Sequence, residues 1–131
     1  MNDGRNLFLD TAVFVRALTK RSQAALNLLN SGGLLYSNAY CMMELRHHLS
    51  DKAGLPSHKT NEAIDWVRNR VKILPTPQAN QYQKLAVPDK LKSDKPVIRG
   101  ALDINAVLVT YDRLLLKEAR KFVEAKTPEE L

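Results

Sequence analysis

The sequence contains very little cysteine, because Cys41 is the only one among 131 residues. A single cysteine cannot form an internal disulfide bond, and Cys41 has no CxxC partner for zinc binding or redox chemistry. We therefore expect Cys41 to be a core residue rather than a reactive one.

Long hydrophobic runs are also missing from the chain. No apolar stretch is long enough to span a bilayer, and the first residues, MNDGRN, lack the basic-then-apolar order of a signal peptide. The chain shows neither an internal repeat nor a linker. We expect a cytoplasmic protein without a membrane segment, built as one domain of residues 1–131 around a single core.

Acidic residues are fewer than basic ones. The chain has 14 Asp and Glu against 20 Lys and Arg, a formal charge of +6 and a pI near 9.6. Such a charge attracts polyanions, but many basic proteins bind no nucleic acid specifically. Charge alone is therefore a weak argument for RNA or DNA binding.

Short apolar runs alternate with helical patterns along the chain. The predicted strands are 7–9, 34–36, 71–74 and 107–109. Helical patterns begin at Thr11, Ser22, Ser37 or Asn38, Ser57, and Ser93 or Asp94, and a final helix runs from Leu114 through Val123. The segment 78–92 is predicted to hold one short helix and a loop. This alternation predicts right-handed crossovers and a three-layer α/β/α fold around a short parallel sheet.

Acidic residues stand where the chain leaves the predicted sheet. Asp10 follows the first strand directly, and Asp112 lies just beyond the strand 107–109. In open α/β sheets the ligand crevice lies outside the carboxyl ends of the strands. Asp94 at the beginning of a helix, and Glu44 early in the helix after the second strand, can face the same crevice. We therefore expect these four carboxylates to converge.

Four carboxylates without matching cations repel one another and hold raised pKa values unless hard metal ions neutralise them. Mg²⁺ or Mn²⁺ suits such a set of oxygen ligands. These ions activate water and stabilise in-line displacement at a phosphodiester, singly or as a pair ~4 Å apart. The sequence therefore predicts phosphodiester hydrolysis.

Each acid also has a purely structural alternative. Asp10 could cap the following helix, although Thr11 could do so equally well, and Asp112 raises the same question. A cap before Pro96 would account for Asp94 completely, and Glu44 could be a solvated helix residue. The residue pattern leaves these alternatives open.

Three nearby residues are excluded from the predicted metal site. His47 and His48 lie beside Glu44 without HExxH spacing, so we expect them to contact solvent or RNA. Asp103 is about half a helical turn out of phase with Asp94 and is expected to face away from the crevice.

Three stretches together resemble the PIN domain family: LFLDTAVFV, SNAYCMMELRHHL and SDKPVIRGALDINAVLVTYD. The likeness covers nearly the whole chain and rests on the order and spacing of the pieces. It implies a PIN-like fold whose first-strand aspartate, helical glutamate and two later aspartates form an acidic metal site. The matching residues, for both metal binding and catalysis, are Asp10, Glu44, Asp94 and Asp112.

The resemblance extends to two hydroxyl residues that we expect to contact the substrate. Thr11 matches the residue that usually follows the first aspartate, and Thr110 matches the family's strand-end pattern VTxD. The chain is similar to VapC toxins, which implies a Mg²⁺-dependent ribonuclease that forms homodimers and pairs with an antitoxin. Ala12 departs from a frequent asparagine or serine, and Leu114 departs from an acidic residue present in many members.

Basic residues around the proposed crevice predict a track for RNA phosphates. The candidates for substrate binding are Arg46, Lys90, Lys92, Lys95 and Arg113. Surface solubility is the alternative explanation for each of them. A second basic stripe, which a solvated helix face would explain equally well, comprises Arg113, Lys117, Arg120 and Lys121.

We expect an endoribonuclease that is the toxin of a toxin–antitoxin pair. The alternative, suggested by Ala12 and Leu114, is a PIN fold that holds RNA or a protein partner without cleaving RNA. A third possibility is a nuclease of ribosomal RNA maturation or DNA processing. Metal-stimulated cleavage separates the first from the second, and a small upstream reading frame for a DNA-binding partner favours the toxin.

Overall fold

The apolar runs of the sequence form the strands of one parallel sheet in a computed structural model that describes residues 4–131. The strands are β1 (Leu7–Leu9), β2 (Leu35–Asn38), β3 (Lys72–Leu74), β4 (Val107–Val109) and β5 (Ala125–Lys126). Their order across the sheet is β3-β2-β1-β4-β5, and every neighbouring pair is parallel. Residues 1–3, the beginning of the MNDGRN stretch, lie outside the described residues.

Helices connect the strands and flank the sheet, which confirms the predicted three-layer α/β/α arrangement. They are α1 (Thr11–Leu18), α2 (Gln23–Leu29), α3 (Ala39–His47), α4 (Ser57–Arg68), α5 (Ala79–Tyr82), α6 (Lys95–Asp103) and α7 (Arg113–Ala119). A π-helical turn, His48–Lys52, continues α3, and 3₁₀ segments cover Asp89–Asp94 and Pro128–Glu130. No helix within residues 4–131 has the length and apolar character needed to cross a membrane.

The central strands are buried on both faces. Every residue of β1 and β4 is buried, which explains why their sequences are continuous apolar runs rather than alternating ones. Cys41 is also completely buried in this core, as the sequence predicts. The two strands are paired in register, with Leu9 opposite Val109, so their carboxyl ends lie side by side.

One glycine allows α6 to lie close to the sheet. A β-carbon built on Gly100 would lie 2.6 Å from Cε2 of Phe8, far inside van der Waals contact. Phe8 is fully buried in β1, so its ring has little room to move away. The absence of a side chain at Gly100 therefore lets α6 approach β1.

The carboxyl-terminal region differs from the sequence prediction. The final helix ends at Ala119 rather than at Val123, and the residues that follow lead into β5, which the sequence analysis missed. The pair Ala125–Lys126 has no local strand signature. It becomes a strand because it pairs with β4, where Leu108 lies opposite Ala125.

Smaller differences affect β2 and the helix that follows it. The sequence predicts that Leu34 belongs to the strand, but Leu34 lies before it and is 47% exposed. At its other end the strand extends to Asn38. Asn38 ends β2 and also caps α3, since its side chain accepts a hydrogen bond from the Cys41 N–H. The predicted cap is therefore confirmed.

Candidate metal centre

The acidic side chains lie at the carboxyl edge of the sheet. Asp10 follows β1, and its backbone N–H donates to the carbonyl of Val109 at the end of β4. Asp112 lies shortly beyond β4, and Glu44 lies on α3, which follows β2 directly. Because β2, β1 and β4 are adjacent parallel strands, their ends bring these residues to one place.

Asp10 is held by two hydrogen bonds. One carboxylate oxygen accepts the Thr11 N–H at 2.8 Å and the other accepts the Thr110 hydroxyl at 2.7 Å. The pKa of Asp10 is raised to about 6, chiefly by burial and to a smaller extent by the charges of Glu44 and Asp112, although the two hydrogen bonds lower it. Asp10 also caps α1, as the structural alternative predicts. The same residue therefore serves as a helix cap and belongs to the acidic cluster.

Glu44 is connected to Asp10 through Thr11. The Thr11 hydroxyl donates to Oε1 of Glu44 at 2.9 Å, while the backbone N–H of the same threonine donates to Asp10. Potential metal ligand atoms of Asp10, Cys41 and Glu44 all lie within 4.8 Å of one another. Burial raises the pKa of Cys41 to about 12, so this sulfur stays a neutral thiol and the carboxylates are the ligands suited to a hard cation.

Asp94 ends the 3₁₀ segment that precedes α6. Its side chain makes no capping hydrogen bond, so the cap alternative left open by the sequence does not account for it. Burial raises the pKa of Asp94 to about 7, and the charges of Asp10, Asp112 and Glu44 add to the shift. Asp94 is therefore exposed to the charge of the other three acids, although its carboxylate does not belong to the group of ligand atoms within 4.8 Å of one another that Asp10 and Glu44 form in the described part of the chain.

Asp112 combines a helix cap with exposure at the same edge. Its side chain accepts the Leu115 N–H at 3.0 Å and caps α7. The backbone N–H of Asp112 donates to Oγ1 of Thr110 at 3.2 Å. Since the Thr110 hydroxyl donates to Asp10, this single buried threonine connects the first and last aspartates of the cluster.

The donor set fits a divalent cation. Within the described residues none of the four acids forms an ion pair with Lys, Arg or His. Carboxylate oxygens are the ligands that Mg²⁺ and Mn²⁺ prefer in proteins, and a bound cation would relieve the repulsion that raises the pKa values of Asp10 and Asp94.

Comparison with known proteins agrees with this arrangement. The sequence matches the PIN domain over residues 8–129, which includes all four acids. The chain belongs to the PIN domain family. A search of the curated proteins finds no match.

Several solved structures share this fold. VapBC-1 from nontypeable Haemophilus influenzae is similar with a TM-score of 0.70 and 20% identity, covering 94% of this chain and 98% of that one. VapBC2 from Rickettsia felis, bound to a DNA fragment from its promoter, has a TM-score of 0.69 and 18% identity over 92% and 97% of the two chains. FitAcB from Neisseria gonorrhoeae has a TM-score of 0.63 and 19% identity over 95% and 99%.

The basic residues predicted to bind substrate have different environments in this PIN domain. Lys90 and Lys92 are exposed, and no hydrogen bond or ion pair to either side chain is found between residues 4 and 131. Lys95 donates to the carbonyl of Gln83 at 2.8 Å, and Arg46 donates to the Asn61 side chain at 2.8 Å. The last two cations are therefore already engaged. Arg113, the fifth predicted cation, is exposed.

The two predicted hydroxyl contacts also differ from each other. Thr11 is half-buried beside Glu44, whereas the side chain of Thr110 is completely buried. The Thr110 hydroxyl is directed at Asp10, so in this structure it orients a carboxylate instead of facing the crevice. Leu114, one of the departures from the family pattern, packs against the hydrophobic core, and Ala12 is half-buried.

Two of the three residues excluded from the predicted metal site, His47 and Asp103, contact a side chain one helical turn away. His47 Nδ1 lies 2.9 Å from Asp51, and Arg99 lies 2.6 Å from Asp103 on the same helix. Both pairs are of the i,i+4 type and at least partly exposed, so they are explained without reference to the acidic cluster.

Tyr40 was not proposed as a site residue, but its side chain borders the cluster. Its hydroxyl donates to the carbonyl of Ser93 at 2.6 Å, directly before Asp94. Burial raises the pKa of Tyr40 to about 12, with further contributions from Glu44 and Asp94. The signal in the sequence was its spacing, because Tyr40 stands one helical turn before Glu44 on the same face.

Proposed function

We propose that this PIN domain is a Mg²⁺- or Mn²⁺-dependent endoribonuclease. The observation that carries the proposal is the acidic cluster at the carboxyl edge of the sheet, where potential ligand atoms of Asp10 and Glu44 lie within 4.8 Å of one another. The charges of Asp10, Asp112 and Glu44 also contribute to the raised pKa of Asp94, about 7, which supports a place for Asp94 and Asp112 beside them. These four residues would hold the metal. A bound divalent ion supplies activation of water and neutralisation of charge at the phosphodiester.

The residues of the chain itself orient this acidic set. Thr11 and Thr110 fix the carboxylates of Glu44 and Asp10 through hydrogen bonds of 2.9 and 2.7 Å, which limits their rotation before any ligand arrives. Asp112 remains exposed at the carboxyl edge, so a metal ion that it helped to hold would be accessible to an RNA phosphate. In this proposal Thr110 is a positioning residue, because it acts through Asp10.

The biological setting we propose is a toxin–antitoxin pair in the cytoplasm. The structures of similar fold described above are VapBC and FitAcB proteins, which supports an antitoxin as partner of this chain. The excess of basic residues, 20 against 14 acidic ones, supports RNA as substrate by favouring a polyanion. We further propose that residues 1–131 act as one domain and form a homodimer.

The experiment is incubation of the purified protein with mixed RNA, with and without Mg²⁺ or Mn²⁺. Asp10→Asn, purified in parallel, controls for contaminating ribonucleases and should reduce cleavage by at least ~100-fold, because the metal contributes several kcal/mol of transition-state stabilisation. Cleavage by the variant at the rate of the parent would remove Asp10 from the mechanism.

A second candidate function is binding without cleavage. Leu114 favours it, because an apolar side chain packs against the core where many family members carry an acid. RNA binding without metal-stimulated cleavage would support this candidate. Selective cleavage of ribosomal precursors or DNA would instead support a processing nuclease.

A further inference from the structure

We propose that a groove between α1, α7 and the carboxyl-terminal turn binds the phosphates of single-stranded RNA that extends from the acidic centre. The proposal rests on the function proposed above, since it adds a second contact region for the same substrate. The groove has a volume of about 590 Å³. Its basic lining residues, which define the basic groove, are Arg16, Arg113, Lys117 and Arg120.

The two acids that line the basic groove, Glu129 and Glu130, cancel only part of the charge of its four cations. Glu129 accepts hydrogen bonds from the hydroxyls of Ser22 and Tyr111, at 2.9 and 3.0 Å. Glu130 accepts the Thr127 N–H at 2.8 Å and lies 3.9 Å from Arg120. Both carboxylates are thus engaged by groups of the turn and its neighbours.

Two cations on α7 remain available for a ligand. Arg113 and Lys117 are exposed, and across residues 4–131 neither side chain has a hydrogen bond or ion pair. Lys121, which the sequence placed on the same stripe, differs because it pairs with Glu118 at 2.7 Å. The groove therefore presents unneutralised positive charge.

The basic groove is adjacent in the chain to Asp112, the last aspartate of the proposed site. Tyr111 and Arg113 line it and flank Asp112 in the chain. From Arg113 to Arg120 the helix and its end advance by about 10 Å, so the cations along it can contact adjoining phosphates of one strand. A strand bound at the metal that Asp112 would help to hold could therefore reach these cations with the adjoining phosphates.

The lining also indicates which part of the RNA is recognised. The guanidinium of Arg16 lies 4.1 Å from the centre of the Tyr111 ring and covers that face. The ring is consequently not free on that side for base stacking, and the groove offers charge instead. Phosphate contacts position a strand without reading its sequence, so binding here should tolerate any base. We propose a single strand as the ligand, because a flexible backbone can follow the short line of cations along α7.

The test uses the double variant Arg113→Gln with Lys117→Gln. Binding of a short fluorescein-labelled single-stranded RNA is followed by fluorescence anisotropy in EDTA, over a series of salt concentrations. We expect binding to weaken about 10-fold at low salt, and the slope of log K against log salt to flatten by about 1.4, since each lost phosphate contact contributes ~0.7. Arg16→Gln, on the opposite wall, should flatten the slope by about 0.7 and provides an independent variant.

The matched control is Arg68→Gln with Lys72→Gln. It removes the same charge from two exposed residues near β3, the edge strand on the opposite side of the sheet from β5. If both double variants flatten the slope equally, the effect is general electrostatics and the proposal is overturned. It is also overturned if duplex DNA or a polyglutamate peptide binds the parent as tightly as the RNA and loses affinity equally in the groove variant.

Failure of the proposed function can be distinguished from failure of the groove. RNA binding that depends on Arg113 and Lys117, without metal-stimulated cleavage, would support the groove and contradict the nuclease. Metal-stimulated cleavage with an unchanged KM and an unchanged salt slope in the double variant would overturn the groove and leave the nuclease intact.

Discussion

Asp10→Asn should stabilise the metal-free protein above neutral pH. The pKa of Asp10 is raised from its ordinary 3.8 to about 6, chiefly by burial. Between these two values the folded protein binds more protons than the unfolded chain, so the free energy of unfolding falls as pH rises. Below pH 3.8 the carboxyl is protonated in both states, so the buried charge does not destabilise the fold. Above about pH 6 it is ionised in both states, and the destabilisation reaches its full value.

The expected magnitude follows from the two pKa values. The difference between 3.8 and about 6 corresponds to about 3 kcal/mol at ~1.36 kcal/mol per pKa unit. Asparagine carries no charge, and its oxygen can still accept the Thr11 N–H while its amide donates to Oγ1 of Thr110. We therefore expect a gain of about 1–3 kcal/mol near pH 8, or about 4 °C in Tm per kcal/mol, and little gain near pH 4.

The assay is urea unfolding in EDTA near pH 8 and near pH 4, comparing parent and variant. Asp65→Asn is the matched control, because Asp65 is exposed on α4 and should change stability by no more than ~0.5 kcal/mol at either pH. A variant that is destabilised equally at both pH values would refute the reasoning. It would mean that the cap on α1 outweighs the cost of the buried charge.

Three further outcomes are expected. Millimolar Mg²⁺ or Mn²⁺ should raise the Tm of the parent, because metal at 100 times its Kd adds about 2.7 kcal/mol to the free energy of unfolding. Replacing all four acids by amides should abolish this gain, and an unchanged parental Tm would count against the metal site. Changing Lys90, Lys92 and Lys95 to Ala should weaken RNA binding across sequences and flatten its salt dependence, chiefly through Lys90 and Lys92 because Lys95 already donates to Gln83. An unaltered slope would place the phosphate track elsewhere. Gly100→Ala should cost about 1–3 kcal/mol in urea unfolding, because its β-carbon would lie 2.6 Å from Phe8; an unaffected midpoint would show that the helix can shift.

The sequence by itself determined the features that depend on local pattern. The run Leu7–Leu9 predicted a buried strand, and Asp10 directly after it predicted an acid at the sheet edge. The parallel arrangement followed from strands alternating with helices, and it placed Asp112 at the same edge. These inferences need only periodicity and the order of elements, which are properties of neighbouring residues.

Other features were decided only by tertiary structure. The strand Ala125–Lys126 exists because β4 offers it a partner, and no residue in that pair favours a strand alone. The hydroxyl of Thr110 reaches Asp10 across 100 positions, and the Lys95 amine turns to the carbonyl of Gln83. Such contacts join distant segments, and their geometry is set by packing of the whole sheet rather than by any local run of residues.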